Sequence, residues 1–246
     1  MTRRVGLVLL AAALAAFLIA PDRFAPLLRP LTTNGAPAIY TQTSLLRLAL
    51  SHLALVGAAV AVSTAVAVGF AIFVTRPAGR DLLPLARSVA SIGQTFPPVA
   101  VLALAVPAMG FGAGPTLLAL ILYGLLPIFE NTLAGLASVP PAVIEAARGT
   151  GMTPAQRLRA VELPLALPVI LSGVRLSAII ALSTTTIGST VAARTLGEVI
   201  IAGLLSSNSA FVVQGGAVVA ALALLISGLF REIERALTPS AQRPGG

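Results

Sequence analysis

Long apolar runs separated by short polar stretches make up most of this chain. Six runs stand out, at residues 5–20, 52–74, 84–109, 116–135, 167–191 and 211–230. About 20 consecutive apolar residues are enough for a helix to cross a lipid bilayer. The pattern therefore predicts an all-α, polytopic membrane protein of about six transmembrane helices.

The first run follows Thr2-Arg3-Arg4 and is short. A basic start before a short apolar core is typical of a cleaved signal peptide, and it also suits an uncleaved signal anchor. We interpret residues 5–20 as an anchor. Either interpretation places the Pro-rich segment 21–48 outside the cytoplasm, as an external connector.

The composition supports a membrane environment for most of the chain. Of the 246 residues, 57% are hydrophobic and 10% are charged, and the mean hydropathy is +0.98. Soluble domains carry about 25% charged residues, so this chain cannot cover itself with an ordinary wetted surface. Most of its surface is expected to face the lipid bilayer or other membrane helices.

The distribution of charge predicts the orientation of the spans. All 16 basic residues are arginines. If the N-terminus is cytoplasmic, twelve lie in cytoplasmic segments and only Arg23, Arg29, Arg47 and Arg194 lie outside. Cytoplasmic loops carry the excess of basic residues, so six spans with both termini in the cytoplasm are expected. Topology also accounts for the net charge of +8, and no nucleic-acid partner is expected.

Several site types are excluded by missing residues. A P-loop needs a lysine to contact the nucleotide phosphates, and the chain contains none, so it is not expected to hydrolyse ATP itself. It has no cysteine and a single histidine, His52, which argues against disulfides and metal sites. We therefore expect no catalytic residue, no metal and no other cofactor. His52 is interpreted as an ordinary interfacial residue at the mouth of a span.

A charged segment, residues 139–168, lies between the fourth and fifth runs. Pro141 favours the start of a short helix over residues 142–148, and Gly149 and Gly151 favour its end. Internal structure and small side chains in a loop of this length suit docking to another protein. An ordinary solvated loop is the alternative.

The same segment continues with a second predicted helix. Thr153 is a suitable N-cap with Pro154 at the first helical position, and this helix is expected to reach Glu162. Pro164 and Pro168 are then expected to turn the chain into the fifth span. The prediction is a helix, a glycine turn and a second helix, separate from the spans on either side.

These residues resemble the EAA loop of permeases from binding-protein-dependent ABC importers. The pattern of that loop is Glu-Ala-Ala, three residues, Gly, nine residues and Ile-x-Leu-Pro. The matching residues here are Glu145, Ala146, Ala147, Gly151, Val161, Leu163 and Pro164. Valine in place of isoleucine is the only departure.

The resemblance extends over about residues 45–237, to permeases for glycine betaine, choline, carnitine and related osmoprotectants. It is carried by SIGQTFPPVAVLAL and by YGLLPIFENTLAGLASVPPAVIEAARGTGMTPAQRLRAVELPLALPVILSGVR. It implies the type I ABC importer permease (MetI-like) fold. Residues 1–48 would be the signal anchor and connector, 49–237 the transmembrane domain and 238–246 a polar tail.

Two stretches depart from these osmoprotectant permeases. AARTLGEVI, residues 192–200, stands where a glycine-rich run is usual. Glu130 stands where no acid is expected, and it either pairs with an arginine at the cytoplasmic end of a span or alters the solute path.

The resemblance also implies partners and a location. In this family the EAA loop forms a coupling helix that sits in a groove of a separate ATPase subunit. A second permease copy or a sister permease completes the pore, and an extracytoplasmic binding protein delivers the solute. The location is the bacterial inner membrane. Glu145 would make a polar contact with the ATPase or with the helix N-terminus or, alternatively, form an i,i+3 pair with Arg148 worth about 0.2–0.5 kcal/mol.

The solute path is expected to use polar groups that lipid would not accept. The candidates in spans three and five are Gln94, Thr95, Ser183, Thr184, Thr185 and Thr186. The alternative for the hydroxyls is that each satisfies its own helix backbone or a neighbouring helix.

The residues of this chain carry little information about the substrate. A quaternary ammonium group is commonly held by an aromatic cage, but the chain has no Trp, and Tyr40 and Tyr123 do not cluster. High-affinity recognition is therefore expected in the separate binding protein. Alternatives are a permease for amino acids or another small solute, an ion-coupled secondary transporter and a membrane scaffold. The spans hold few acids, which disfavours ion coupling.

Overall fold

A computed structural model of the protein describes residues 2–33 and 35–237. The tail predicted at 238–246 lies outside them. Every regular element in the described residues is helical, which confirms the all-α prediction. The α-helices in this part of the chain are α1 (Thr2–Ile19), α2 (Ala25–Leu28), α3 (Leu45–Val74), α4 (Leu83–Thr95), α5 (Pro98–Met109), α6 (Ala113–Ala137), α7 (Pro141–Gly149), α8 (Pro154–Arg157), α9 (Leu163–Thr185), α10 (Gly197–Leu205) and α11 (Ser209–Leu237). Short 3-10 turns (Pro21–Phe24, Arg29–Leu31, Arg80–Leu82, Thr186–Val191) and one π turn (Leu158–Glu162) lie between them.

Four helical stretches of the described chain are long and apolar enough to cross a membrane on their own. They are α3, α6, Pro154–Val191 and α11. Two further candidates are bent pairs: Arg4–Ile19 meets Pro21–Leu31 at 109°, and Arg80–Thr95 meets Pro98–Met109 at 95°. The number of spans is thus four to six, and the predicted six is reached when each bent pair counts as one.

The apolar run 84–109 does not form one straight helix. α4 ends at Thr95, Phe96 is extended (φ −93°, ψ 140°), and α5 starts at Pro98. Pro97 accounts for this break, because it has no N–H for the helix and keeps the preceding residue out of the helical conformation. The interruption seen in the sequence is therefore a sharp bend.

α6 lies at the centre of the helix bundle and packs against α3, α4 and α9, while α11 packs against α1, α9 and α10. The close approach of α3, α6 and α9 depends on Gly124. A Cβ added there would lie 2.6 Å from Ser177 Oγ and 2.8 Å from Ser63 Oγ. Small residues allow helix backbones to approach in this way within membranes.

The second helix of the charged segment is not separate from the fifth span, so that part of the prediction is wrong. α8 continues through the π turn into α9. In the π turn the Leu163 N–H donates to the Leu158 carbonyl, five residues back. The wider turn accommodates Pro164, which has no N–H to donate. The prolines therefore deform the helix and do not end it.

Three apolar clusters fill the described part of the bundle, and the two larger ones lie toward opposite ends. Leu45, Leu196 and Phe211 belong to one cluster, and Val74 and Ala166 belong to the other. We call the end of the bundle that carries α7 the α7 end. The opposite end, which carries α10, is called the α10 end.

Candidate functional site

The α7 segment is shaped by the local signals that the sequence contains. α7 starts at Pro141 and ends at Gly149. Gly151 follows with φ +81°, a left-handed conformation that favours glycine. Its N–H donates to the Arg148 carbonyl at 2.9 Å, which satisfies an acceptor at the helix end. The predicted glycine turn is therefore present.

α8 begins with a complete capping box. Thr153 Oγ1 accepts a hydrogen bond from the Gln156 N–H at 3.3 Å, and Gln156 Oε1 accepts one from the Thr153 N–H at 2.8 Å. Two backbone donors are thus satisfied reciprocally at the start of the helix. The connection between α7 and α8 is held by Gly151 on one side and by Thr153 on the other.

The residues that match the EAA pattern form two groups, which the fold places next to each other because α7 contacts the π turn. The exposed members are Glu145, Ala146, Gly151 and Pro164. Ala147 is buried, whereas Val161 and Leu163 are half-buried. The exposed members give this end of the molecule a surface of small side chains beside one carboxylate.

Glu145 makes the local contact that the sequence allowed. Its Oε1 accepts a hydrogen bond from Arg148 Nη1 at 2.7 Å, and the two side chains are 67% and 56% exposed. Such an exposed i,i+3 pair holds the carboxylate only weakly, at about 0.2–0.5 kcal/mol. The carboxylate can therefore exchange Arg148 for another cationic or N–H donor.

One buried carboxylate at the α7 end was missed by the sequence analysis as a functional candidate. Glu162 is 7% exposed. It accepts hydrogen bonds from Arg76 Nη2 at 2.5 Å and from Arg157 Nε at 3.1 Å. No local signal pointed to these pairs, because Arg76 is 86 residues away and residues five apart do not face each other on a regular α-helix.

Glu130, which departs from the family pattern, binds Arg87. Arg87 lies on α4 and donates two hydrogen bonds, of 2.6 and 3.0 Å, to the two carboxylate oxygens of Glu130 on α6. Bidentate arginine–carboxylate pairs fix geometry as well as charge. This contact favours the first predicted role of Glu130, a pairing with arginine at the end of a span.

Two more ion pairs join α11 to its neighbours at the α7 end. Arg175 on α9 lies 3.2 Å from Glu234. Arg4 on α1 lies 2.5 Å from Glu232, which also binds Arg235 at 3.1 Å. The start of α1 and the end of α11 therefore lie at the same end of the bundle as α7.

The hydroxyls predicted for the solute path in span five bond mainly to their own helix. Thr185 is buried and donates to the Ala181 carbonyl at 2.6 Å. Ser183 is exposed and Thr186 half-buried, and both donate to carbonyls of the preceding turn. Thr184 is half-buried. Backbone bonding of this kind is the alternative considered for these hydroxyls.

Gln94 and Thr95 are exposed at the end of α4. Gln94 Nε2 donates to the Tyr123 carbonyl on α6 at 3.3 Å, and Thr95 Oγ1 donates to the Ile92 carbonyl of its own helix at 2.8 Å. In the described chain no hydrogen bond joins either residue to the hydroxyls of α9. Hydrogen bonds thus do not join the two groups of path candidates in this part of the chain.

A hydrogen-bonded network at the α10 end explains the divergent segment 192–200. Glu198 Oε1 accepts hydrogen bonds from Tyr40 Oη at 2.7 Å and from Thr43 Oγ1 at 2.8 Å. Burial, and secondly Glu198, raise the pKa of Tyr40 to about 12, so its hydroxyl remains a neutral donor at physiological pH. The segment therefore fastens the connector, residues 21–48, to the start of α10.

The same connector is also fastened to α11. Gln214 is buried; its Oε1 accepts from the Tyr40 N–H at 3.2 Å and its Nε2 donates to the Ala38 carbonyl at 2.7 Å. Asn208 Nδ2 donates to the Pro37 carbonyl at 2.9 Å. Backbone groups that would otherwise lie unsatisfied beside the bundle are thus paired.

His52 is not an interfacial residue, which corrects the prediction. α3 begins at Leu45, before the predicted start of the span, so His52 lies inside the helix and is fully buried. Its Nε2 donates to the Leu182 carbonyl at 3.0 Å, and its Nδ1 accepts from the Leu196 N–H at 3.4 Å. His52 therefore links α3 to α9 and to the segment before α10.

Comparison with known proteins places these features in a family. A family model described as binding-protein-dependent transport system inner membrane component matches residues 67–239. The chain is 40% identical over 198 residues to the osmoprotectant import permease protein OsmY of Salmonella typhimurium, covering 80% of this chain and 84% of the relative. It is 42% identical over 159 residues to the glycine betaine/carnitine/choline transport system permease protein OpuCD of Bacillus subtilis, covering 64% and 69%.

Solved structures share the fold. An inward-facing conformation of the MetNI methionine ABC transporter aligns with a TM-score of 0.71 at 24% identity, covering 79% of this chain and 96% of that chain. An amino acid ABC transporter with histidines aligns with a TM-score of 0.66 at 20% identity, covering 89% and 98%. These likenesses concern the fold alone, and they confirm the predicted MetI-like architecture.

Proposed function

We infer the function of this chain from its family. It belongs to the inner membrane components of binding-protein-dependent transport systems and is the permease subunit of an ABC importer. As a family, such systems include an ATPase and a substrate-binding protein. The proposals that follow concern where these partners act on this chain, which solute it carries and how it is oriented.

The first proposal is that α7 is the coupling helix and that a separate ATPase subunit binds it. The observation that carries it is an exposed helix with small side chains and one loosely held carboxylate, Glu145, fixed between Pro141 and Gly151. A chain without lysine has no P-loop lysine to hold ATP phosphates. The proposed coupling residues are those of the EAA pattern, Glu145, Ala146, Ala147, Gly151, Val161, Leu163 and Pro164, of which the exposed Glu145, Ala146, Gly151 and Pro164 would make the contact.

The second proposal is that the solute is a quaternary-amine osmoprotectant such as glycine betaine, choline or carnitine. It is supported by the relatives named for these solutes, which match most of this chain at 40% and 42% identity. Tyr40 is held by Glu198 and packs edge-on against Phe211 at 5.4 Å, whereas Tyr123 donates to the Phe96 carbonyl. The two tyrosines are thus engaged separately, which supports recognition by a separate extracytoplasmic binding protein.

The third proposal concerns the path itself. A second permease copy or a sister permease completes it, and Gln94, Thr95, Ser183, Thr184, Thr185 and Thr186 are its candidate lining residues on this chain. Gln94, Thr95 and Ser183 are the members exposed in the single chain. We therefore rank these three above Thr185, whose hydroxyl is buried and satisfied.

The fourth proposal is that the α7 end faces the cytoplasm, with both termini there, in the bacterial inner membrane. The twelve-to-four distribution of arginines supports it through the positive-inside rule. The Arg4–Glu232 ion pair, which joins the start of α1 to the end of α11, supports a common side for both termini.

The test is ATP-dependent uptake in proteoliposomes that contain the complete transporter and its binding protein. We expect uptake of glycine betaine, choline or carnitine, and we expect Ala146→Arg to reduce both uptake and co-purification of the ATPase by at least about tenfold, as at a docking hot spot. Ala236→Arg, at another exposed alanine of the α7 end, is the matched control and should leave both unchanged.

Two outcomes would contradict these proposals separately. Uptake that follows an ion gradient and needs no ATPase would overturn the coupling proposal and favour a secondary transporter. ATP-dependent uptake of an amino acid, with no quaternary amine transported, would overturn the substrate proposal and leave the coupling proposal standing.

A further inference from the structure

The base of α9 is mechanically weak at the place where movement of α7 must pass into the spans. Pro164 and Pro168 have no N–H to donate to the helix. The π turn Leu158–Glu162 precedes them, and helix bends concentrate at prolines and π turns. A displacement of α7 and α8 would therefore be absorbed by bending here unless another connection carried it into the bundle.

The π turn brings Arg157 and Glu162 together. Residues five apart on a regular α-helix differ by about 140° around the axis, so their side chains diverge. Here Arg157 Nε lies 3.1 Å from Glu162 Oε1, and the two side chains are 14% and 9% exposed. The turn thus aims the Glu162 carboxylate into the protein and holds it against α8.

The second partner of Glu162 comes from the end of α3. Arg76 lies two residues after Val74, the last residue of that helix, and its Nη2 lies 2.5 Å from Glu162 Oε2. Arg76 Nε is buried with no acceptor among the described residues. Glu162 is therefore the carboxylate that balances this guanidinium, and removing one member leaves a poorly compensated charge.

We propose that Arg76 and Glu162 are a positioning pair that carries the displacement of the α7–α8 segment to α3, past the weakened base of α9. α3 packs against both α6 and α9, so a push on its end reaches the centre of the bundle. Glu162 occupies the unspecified position of the EAA pattern, between Val161 and Leu163, so the docking motif does not account for it. The inference rests on the proposed docking of an ATPase to α7.

The test compares Glu162→Gln, Arg76→Gln and the double variant in the complete transporter, reconstituted with its ATPase and binding protein. The measured quantity is the solute imported per ATP hydrolysed. We expect it to fall about tenfold in each single variant, within the range of known coupling residues. The double variant should be no worse than either single one, because the pair acts as a unit.

This ratio separates positioning from folding. A variant that only misfolds lowers the number of active transporters, so uptake and hydrolysis fall together and the ratio stays constant. Arg235→Gln, which removes an exposed ion pair at the same end, is the matched control and should keep the wild-type ratio. A wild-type ratio in Glu162→Gln and Arg76→Gln overturns the proposal, as does strict additivity in the double variant.

A distance measurement on the otherwise unchanged chain provides a second test. The chain has no cysteine, so spin labels can be placed on cysteines introduced at the exposed residues Ala78, Ser138 and Thr150. On ATP binding, the 78–150 distance should stay constant while the 138–150 distance changes. A change in the 78–150 distance with a constant 138–150 distance overturns the proposed role of the Arg76–Glu162 pair. If ATP changes neither distance and the ATPase does not co-purify, the docking proposal itself has failed.

Discussion

The two ends of the bundle are held together by different chemistry. At the α7 end, ion pairs join α4 to α6, α9 to α11 and α1 to α11, and Glu162 joins α8 to the end of α3. At the α10 end, neutral donors and acceptors dominate, and Glu198 is bound by two hydroxyls. In the described chain, no salt bridge includes Glu198.

This difference suits two mechanical roles. Most of the charges at the α7 end are partly exposed, so they can separate into water and re-form at low energetic cost. The groups at the α10 end are mostly buried, and a buried donor or acceptor that loses its partner costs about 1–3 kcal/mol. The exposed pairs at the α7 end can therefore rearrange more easily than the buried groups at the α10 end, whereas the buried Arg76–Glu162 pair is expected to stay together.

The largest effect is expected at His52. His52→Leu leaves the Leu182 carbonyl and the Leu196 N–H without their partner, and we expect a loss of about 3 kcal/mol in the free energy of unfolding. Thermal unfolding in detergent measures it. His52→Gln, which retains a donor and an acceptor, should recover part of the loss. Equal stability of wild type and His52→Leu would show that the α10 end is not the fixed one.

A second, smaller effect is expected at Tyr40. Tyr40→Phe removes a hydrogen bond to a carboxylate and should cost about 2 kcal/mol. Because the folded state raises the pKa of Tyr40 from 10.0 to about 12, this contribution is fully present below about pH 10 and is lost as the pH rises from about 10 to about 12. Unfolding of both proteins across this range checks it. A difference that already disappears near neutral pH would contradict the assignment.

The smallest effects are expected at the α7 end. Arg175→Gln breaks the partly buried contact with Glu234 and should cost about 1 kcal/mol, with only a slightly smaller loss at high salt because salt screens partly buried pairs less than exposed ones. The control Arg148→Gln, at the exposed pair with Glu145, should cost about 0.3 kcal/mol. Unfolding at low and high salt measures both. A salt-independent loss larger than that of Tyr40→Phe would reverse the comparison of the two ends.

Features with local causes could be predicted from the sequence. The apolar runs predicted the spans, because span length follows from bilayer thickness. Pro141, Gly151 and Thr153 predicted the limits of α7 and the start of α8, because helix caps depend on neighbouring residues. The candidate coupling surface was therefore recognisable, and so was its match to the family pattern.

Features that depend on distant residues could not be predicted. Arg76 and Glu162 are 86 residues apart, and His52 and Leu196 are 144 apart. Neither pair has a signature in the spacing of nearby residues. The continuity of α8 and α9 was missed for a related reason. A π turn can absorb the missing N–H of Pro164, and the packing of the bundle, more than the propensity of proline, decides between a break and a bulge.

The two bent helix pairs decide whether the chain crosses the membrane four, five or six times. Each pair either crosses the membrane or returns to its starting face, whereas α3, α6, α9 and α11 are each long and apolar enough to cross once. The contact of Arg4 with Glu232 requires an even total number of crossings. The contact of Arg76 with Glu162 places the end of α3 and the π turn at the same face of the membrane, so an even number of crossings lies between them. One of these crossings is α6, and the other must therefore be the bent pair Arg80–Thr95 with Pro98–Met109. The first pair must then cross as well, so the two arginine–glutamate contacts together with four single spans give six crossings.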